Sequence, residues 1–426
     1  MFRKEAEAIN WIDSFGCRGG MRTLDHLLDV LAELGNPQDR LATIHVAGTN
    51  GKGSTVAFLR HVLVESGLRV GTFTSPYLTS FGERMSINAE PMTRSNLLRY
   101  TNQVKETLMD KNMSDFASFD VLTLMSFLYF VDSDVDIVIY ETGIGGRLDS
   151  TNVIAPIVSA ITNVGHDHAD VLGDTQHERA LEKLGIVKEK IPLFTTEEDP
   201  DLLILFKKIC DKNQTNLYLP LKNAEFIRTI CAGTLFHYKN YRFVKLHMLG
   251  KHQFKNAVLA LAIIDYLITK NVFKIDIEDI YKGLDLTSWE GRFEHVQKSP
   301  PVILDGAHNL EGFKALVDAL NDVYPNYRKK IIFSTTKVKD AKQLIEIISE
   351  VADEILFVRG THPATVAPET LYDITNGSEK YTYVSQSFKK VINQTIKHLS
   401  NNEVLVICGS LYFVSDARVH LFKGRL

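Results

Sequence analysis

Gly48 to Ser54 reads GTNGKGS. Glycines in such a run let the backbone turn sharply and aim its N–H groups inward, and a helix that follows presents its positive end to an anion. Lys52 adds a mobile cation for outer phosphates, and Ser54 or Thr55 offers a hydroxyl beside it. The strict phosphate-loop pattern is not met, because position 46 is Val and Gly53 follows Lys52. Even so, the chemistry that this run suits is triphosphate binding. A second group lies further on: Glu141 follows the apolar run VDIVIY, and an acid at a strand end that faces a phosphate loop is where a nucleotide enzyme holds a metal. Asp167 and His168 follow another short apolar run, and His166 with His168 raises zinc as an alternative. No nearby cysteine or third histidine completes a tetrahedral set. Magnesium prefers oxygen ligands, so His168 would be an unusual partner for it.

Particular elements must position these groups. Leu41–Ala47 reads as a buried strand, and from Ser54 the apolar residues Val56, Leu59 and Leu63 recur at helical spacing until Gly67. Val70–Thr74 is a second strand, followed by the loop SPYLTSFGERM. A helix over Arg94–Met109 leads to a long apolar helix that contains Phe119. Val135–Tyr140 and Ile157–Ile161 are strands of the parallel, doubly covered kind. HERALEKLGIVKEK is a helix carrying Lys183 and Lys188, each of which alone reads as a solvated charge. After WEGRFEHVQKSPP, taken as a stiff connection, strands and helices alternate again from Val302, with Asp305 and His308 at the first strand end. The fold class is α/β: a phosphate-loop-type nucleotide domain with a mostly parallel sheet over residues 1–295, and a smaller Rossmann-like α/β domain over residues 296–426.

The 426 residues, 45% hydrophobic and 23% charged, are ordinary for a folded globular protein, and a net charge of −4 argues against a general nucleic-acid binder. No apolar run approaches a membrane span, and the four cysteines form no C-x-x-C pair, so a cytoplasmic protein with reduced thiols is expected.

Together VAGTNGKGS, TSPYL with FGERM, ETGIGGRLDSTN, GHDHADVLG with EKLGIVK, GKHQFKNAVLA, WEGRF, DGAHN and GSLY resemble the folylpolyglutamate synthase and dihydrofolate synthase branch of the Mur ligase superfamily. The resemblance runs through nearly the full chain in the family order. It implies an ATP-dependent ligase that adds L-glutamate to folates such as tetrahydrofolate, and to dihydropteroate, through an acyl phosphate. ATP would lie between the domains, held by Thr49, Asn50, Gly51, Lys52, Gly53 and Ser54, with Asn256, Arg292 and Asp305. Ser75, Glu141 and His168 correspond to magnesium ligands. Lys183 matches a lysine carried N-carboxylated in the family, which would help hold a second magnesium. Lys52, Lys183 and His308 would be the catalytic set, with His308 and Ser410 near the incoming glutamate. Met21, Arg22, Tyr77 and Phe119 would meet the pterin, and Arg84 its anionic tail. Two positions depart from the family pattern: Tyr77 stands where many relatives have histidine, and Asp120 replaces the usual glutamate.

The resemblance also implies a monomer. Two rival readings stay open. One is a cell-wall ligase of the same superfamily, against which stands the short stretch before Gly48, where a leading domain is expected. The other is a nucleotide-dependent regulatory switch. Whether dihydropteroate, reduced folates or both are accepted is open as well.

Overall fold

The structure, a computed structural model, describes residues 1–16, 23–112, 115–166, 169–336, 338–375 and 379–422. The chain forms two compact units that do not divide it at a single point. The first comprises Met1–Glu225 with Lys255–Leu286, and the second Phe226–Phe254 with Thr287–Leu426.

The strands of the first unit are β1 (Thr43–Ala47), β2 (Val70–Phe73), β3 (Met85–Ile87), β4 (Glu90–Pro91), β5 (Ile137–Glu141), β6 (Val158–Ile161), β7 (Leu193–Thr195) and β8 (Leu217–Tyr218). Among the described residues they form one sheet in the order β4-β3-β2-β5-β1-β6-β7-β8. From β2 to β8 neighbours run parallel, and only the β3 and β4 edge is antiparallel. Every residue of β1 and β5 is buried, as expected of central strands covered on both faces. Leu27, Val30, Phe73, Tyr100, Phe127, Phe130 and Tyr140 form one core cluster, and toward the β7 side of the sheet, where register puts Ile161 and Leu193 on the same face as Phe73 and Tyr140, a second gathers Ile161, Leu184, Leu193 and Phe206.

Register decides what the sheet brings together. Val46 pairs with Glu141 across β1 and β5, and Ala47 pairs with Ile161 across β1 and β6. The loops after β1, β5 and β6 therefore leave the same carboxyl edge side by side, at the kind of edge where open α/β sheets bind ligands.

The second unit contains the three-stranded sheet β9 (Ala224–Ile230), β10 (Gly233–Tyr238) and β11 (Tyr241–Leu246), in the order β11-β10-β9. Its larger sheet uses β12 (Glu294–Lys298), β13 (Pro301–Leu304), β14 (Arg328–Phe333), β15 (Glu354–Phe357), β16 (Tyr381–Tyr383) and β17 (Glu403–Cys408), in the order β12-β13-β17-β14-β15-β16. All neighbours but β12 and β13 are parallel. The segment that reads as a stiff connection in sequence is thus an antiparallel hairpin: Lys298 pairs with Pro301, and Gln297 Nε2 donates to the Pro300 carbonyl at 2.8 Å. Proline is tolerated there because Pro301 is the first residue of its strand. Phe313, Phe333, Phe357 and Val406 lie in the core of this unit. Among the described residues no helix is long and apolar enough to cross a membrane.

Candidate active site

The helix after β1 runs over Lys52–Glu65, two residues earlier than its apolar period suggests, because Gly51 takes a left-handed φ of +85° and starts the helical turn at once. Its first N–H groups, from Lys52 onward, have no partner within the helix and suit an anion. Those of Thr49 and Asn50 are already engaged. The Thr49 N–H donates to the Asn163 carbonyl at 3.0 Å, and the Asn50 N–H donates to Asn163 Oδ1 at 3.0 Å. Asn163 Nδ2 and the Thr162 hydroxyl both donate to the Asn50 carbonyl, at 3.2 and 2.6 Å, and the Gly165 N–H donates to Thr49 Oγ1 at 2.8 Å. The segment after β6 therefore braces the first half of the loop and leaves the second half to a ligand. Gly48 must be glycine, since a Cβ there would stand 1.8 Å from Thr162 Oγ1. Asn256, in the helix Lys251–Thr269, has Oδ1 only 2.2 Å from where a Cβ on Gly51 would stand, so its amide touches the turn itself. Ser54 is buried, and so is Thr55, whose hydroxyl has no hydrogen-bond partner.

Lys52 curls over this loop. Its Nζ donates to the carbonyls of Gly48 at 3.0 Å and Thr49 at 3.3 Å, and lies 4.0 Å from Glu141 Oε1. Glu141 ends β5 and is buried, and its Oε2 accepts the Ser75 N–H at 3.2 Å. The Glu141 carboxylate and the hydroxyl of neighbouring Ser75 are oxygen donors of the kind magnesium takes, so these two residues fit that ion. His168 lies outside the described residues, and among those described no cluster of three or more His, Cys, Asp or Glu side chains could hold a metal ion.

The loop after Glu141 is closed by Asp149. Its Oδ2 accepts the N–H groups of Gly143 (2.8 Å) and Ile144 (3.1 Å), and its Oδ1 accepts the N–H (3.0 Å) and hydroxyl (2.5 Å) of Thr151. Burial pushes the Asp149 carboxyl above its ordinary value, against the pull of these bonds. Since the Thr151 hydroxyl donates to Asp149, His45 Nε2, 2.8 Å away on β1, is the donor in its contact with that oxygen. His45 is neutral, its pKa lowered to about 3 by burial and then by Lys188. The same loop meets the helix Gln176–Leu184: the Arg147 N–H donates to the Glu182 carbonyl at 2.7 Å, and a Cβ on Gly146 would stand 2.9 Å from the carbonyls of Glu182 and Lys183. Lys183 is buried on that helix, in the neighbourhood of the Glu141 loop.

Of the residues expected at the pterin, Met21 and Arg22 lie outside the described residues. Tyr77 is 39% exposed, with the Arg84 guanidinium 5.0 Å from its ring and 5.6 Å from that of Phe81. Phe119 packs on the Glu141 loop, since a Cβ on Gly143 would stand 2.9 Å from its ring. Asp120 is fully buried and holds structure together: it accepts the Ala117 N–H at 2.8 Å, capping the helix Ser118–Asp132, and the Ser150 hydroxyl at 2.6 Å.

In the second unit, Asp305 directly follows β13 and Ser410 follows β17, two neighbouring parallel strands. Asp305 accepts the N–H groups of Phe293 and Ala307, each at 2.9 Å. Burial raises its carboxyl, and Arg292 is the largest opposing influence. Arg292 Nη1 donates to the Gly291 carbonyl at 3.2 Å and stands 2.4 Å from where a Cβ on Gly306 would be. His308 Nδ1 bonds the Gly306 carbonyl at 2.8 Å, and Ser410 Oγ accepts the Phe413 N–H at 3.2 Å. Arg292, Asp305, His308 and Ser410 thus share one cluster of carboxyl-edge loops.

Comparison with known proteins fixes the family. Residues 46–264 match the Mur ligase middle domain, and residues 291–411 match the Mur ligase glutamate ligase domain. The chain belongs to the Mur ligase family. This Mur ligase is 38% identical to a dihydrofolate synthase/folylpolyglutamate synthase of Bacillus subtilis, over 99% of this chain and 100% of that one. Its fold is similar to that of a folylpolyglutamate synthase from Thermotoga maritima, with a TM-score of 0.86, 27% identity, and 99% and 97% of the two chains covered. It is also similar to a folylpolyglutamate synthase complexed with AMPPCP and folate, with a TM-score of 0.83, 26% identity, and 97% and 98% covered.

In the first unit the Mur ligase fold gathers Lys52, Asn256, Glu141, Ser75 and Lys183 around the loops after β1 and β5. Three further residues shape these loops and carry no obvious signal in sequence: Thr162, Asn163 and Asp149. A polar pair directly after a buried strand was the one available hint for Thr162 and Asn163, and its role depends on β6 lying next to β1.

Proposed function

We propose that this Mur ligase uses ATP to join L-glutamate to folates, lengthening the tail of tetrahydrofolate and converting dihydropteroate to dihydrofolate. The observation that carries the reading is the full-length similarity to a dihydrofolate synthase/folylpolyglutamate synthase. The buried Glu141 beside Lys52 supports it.

A carboxylate does not condense usefully with an amine in water until it is activated. The acceptor carboxylate attacks the γ-phosphorus of ATP, forming an acyl phosphate and releasing ADP. The amine of glutamate then attacks the acyl carbon, loses a proton, and the tetrahedral intermediate expels inorganic phosphate. Lys52 leaves its contacts with the Gly48 and Thr49 carbonyls to follow the transferring phosphoryl group and balance its charge. The N–H groups that open the helix Lys52–Glu65 hold the phosphates, with the Ser54 hydroxyl nearby and Asn256 fixing the turn at Gly51. Arg292 and Asp305 contact the nucleotide, and His308 and Ser410 receive glutamate. Glu141, Ser75 and His168 hold magnesium, with a second ion held with help from carboxylated Lys183; when bound, these ions neutralise phosphate charge. Tyr77, Phe119, Met21 and Arg22 meet the pterin, and Arg84 its anionic tail. The protein acts as a monomer in the cytoplasm.

The test is ADP release by the purified protein with magnesium ATP and L-glutamate, comparing dihydropteroate, tetrahydrofolate and no acceptor, with product masses recorded. Glutamyl mass gain on both acceptors is expected. Gain on tetrahydrofolate alone restricts the enzyme to polyglutamylation, and acceptor-independent hydrolysis without product overturns the ligase reading in favour of a switch.

A further inference from the structure

Within the second unit, Arg292 sits in a turn bracketed by two acids, Glu290 and Glu294. The turn is tightly specified. Gly291 and Phe293 both have positive φ, +67° and +48°. The Gly291 N–H donates to Glu294 Oε2 at 2.8 Å, the Gly306 N–H donates to the Gly291 carbonyl at 2.8 Å, and the Phe293 N–H donates to Asp305. Positive φ at Phe293 is uncommon for a bulky side chain, so the turn depends on its hydrogen bonds to persist.

Glu294 is itself held from elsewhere. Arg418, 124 residues later in the helix Leu411–Phe422, donates from Nε to both Glu294 oxygens, at 3.0 and 3.2 Å. Its Nη2 lies 3.7 Å from Glu290 Oε1, and its guanidinium lies 5.0 Å from the Phe422 ring. Arg418 is only 15% exposed, so the pair is shielded and worth more than a surface ion pair. The same helix begins at Leu411, whose side chain lies 2.4 Å from where a Cβ on Gly306 would stand, so one helix touches both loops that frame Arg292.

We infer that Arg418 is a positioning residue for the nucleotide: it fixes Glu294 and Glu290 so that the turn at Gly291 holds Arg292 ready for the phosphates. This rests on the reading that Arg292 contacts ATP. With Arg418 removed, the Glu294 carboxylate is released toward solvent, the Gly291 N–H loses its acceptor, and the turn no longer holds the Arg292 guanidinium in place.

The test is a double-mutant cycle on the full chain, read as the Kd for magnesium AMPPCP and the KM values for ATP, glutamate and tetrahydrofolate. Arg418→Ala is expected to raise the AMPPCP Kd and the KM for ATP about tenfold, the scale of a lost charge-assisted hydrogen bond, with the other two KM values unchanged. Arg292→Ala should weaken AMPPCP at least as much, and the double variant should be no weaker than Arg292→Ala, because Arg418 acts through Arg292. Arg418→Lys, which keeps the charge but not the fork, should be intermediate and carries the same comparison if the alanine variant fails to fold. Additive losses, an unchanged Kd, or a uniform rise in all three KM values overturn the inference alone. An unaffected Arg292→Ala variant overturns the reading of Arg292 and the inference with it.

Discussion

Lys52 illustrates how far a single residue can be read. Its place after Gly51 suits a phosphate ligand, and it contacts two loop carbonyls and Glu141, which on the proposed reading it leaves for an outer phosphate. Replacing it removes charge stabilisation in the transition state but no packing, so Lys52→Ala is expected to cut turnover by about a hundred- to a thousandfold with the melting curve unchanged. A folded variant with normal ADP release would contradict the role. Glu141 was legible for the same reason, an acid at the end of a wholly apolar strand. Asn163 was not, because its place after a buried strand is a weak hint and its amide matters through its bonds to Asn50, more than a hundred residues earlier. Asp120 was legible as an unusual residue near Phe119, and the structure adds that it caps a helix and binds Ser150.

At the scale of elements, the phosphate-loop helix is positioned by a close neighbour as well as by its strand. The helix Ile277–Leu286 reaches it through Gly283, where a Cβ would stand 2.6 Å from Val62 Cα and 2.8 Å from Val62 N. Backbone cannot yield as a flexible side chain can. Gly283→Ala is therefore expected to cost about 1–3 kcal/mol by forcing the helices apart, and, since the displaced helix carries Lys52 and Ser54, to raise the KM for ATP as well. Urea denaturation and ATP titration check the two effects, and an unchanged unfolding midpoint would contradict the contact. Apolar periodicity located the helix after β1 to within a few residues, whereas the hairpin of β12 and β13 was hidden because the paired prolines read as a connection.

Across the whole molecule, one buried histidine and two partly buried ones set a pH dependence of stability. His45 is lowered to about 3, chiefly by burial, and His61 and His252 are each lowered to about 4, again chiefly by burial, with Arg60 and Arg292 as the next influences. The unfolded chain takes up these protons near pH 6.5 while the folded chain does not, so stability is complete above that pH and is lost as pH falls toward 4. Each histidine contributes a slope of up to about 1.4 kcal/mol per pH unit in that window. The urea midpoint should fall between pH 7.5 and pH 5.5, and an unchanged midpoint would contradict neutral burial. By itself the sequence determined the α/β class, the glycine-rich turn between β1 and its helix, the acids at strand ends and the family, because those signals lie in short runs whose periodicity and glycines act locally. Only the tertiary structure decided that the segment after β6 braces the loop, that Asn256 wedges against Gly51, that Phe226–Phe254 joins the second unit, and that Arg418 serves the turn at Gly291. Each of these depends on strand order and on contacts between residues far apart in the chain, which local pattern does not encode.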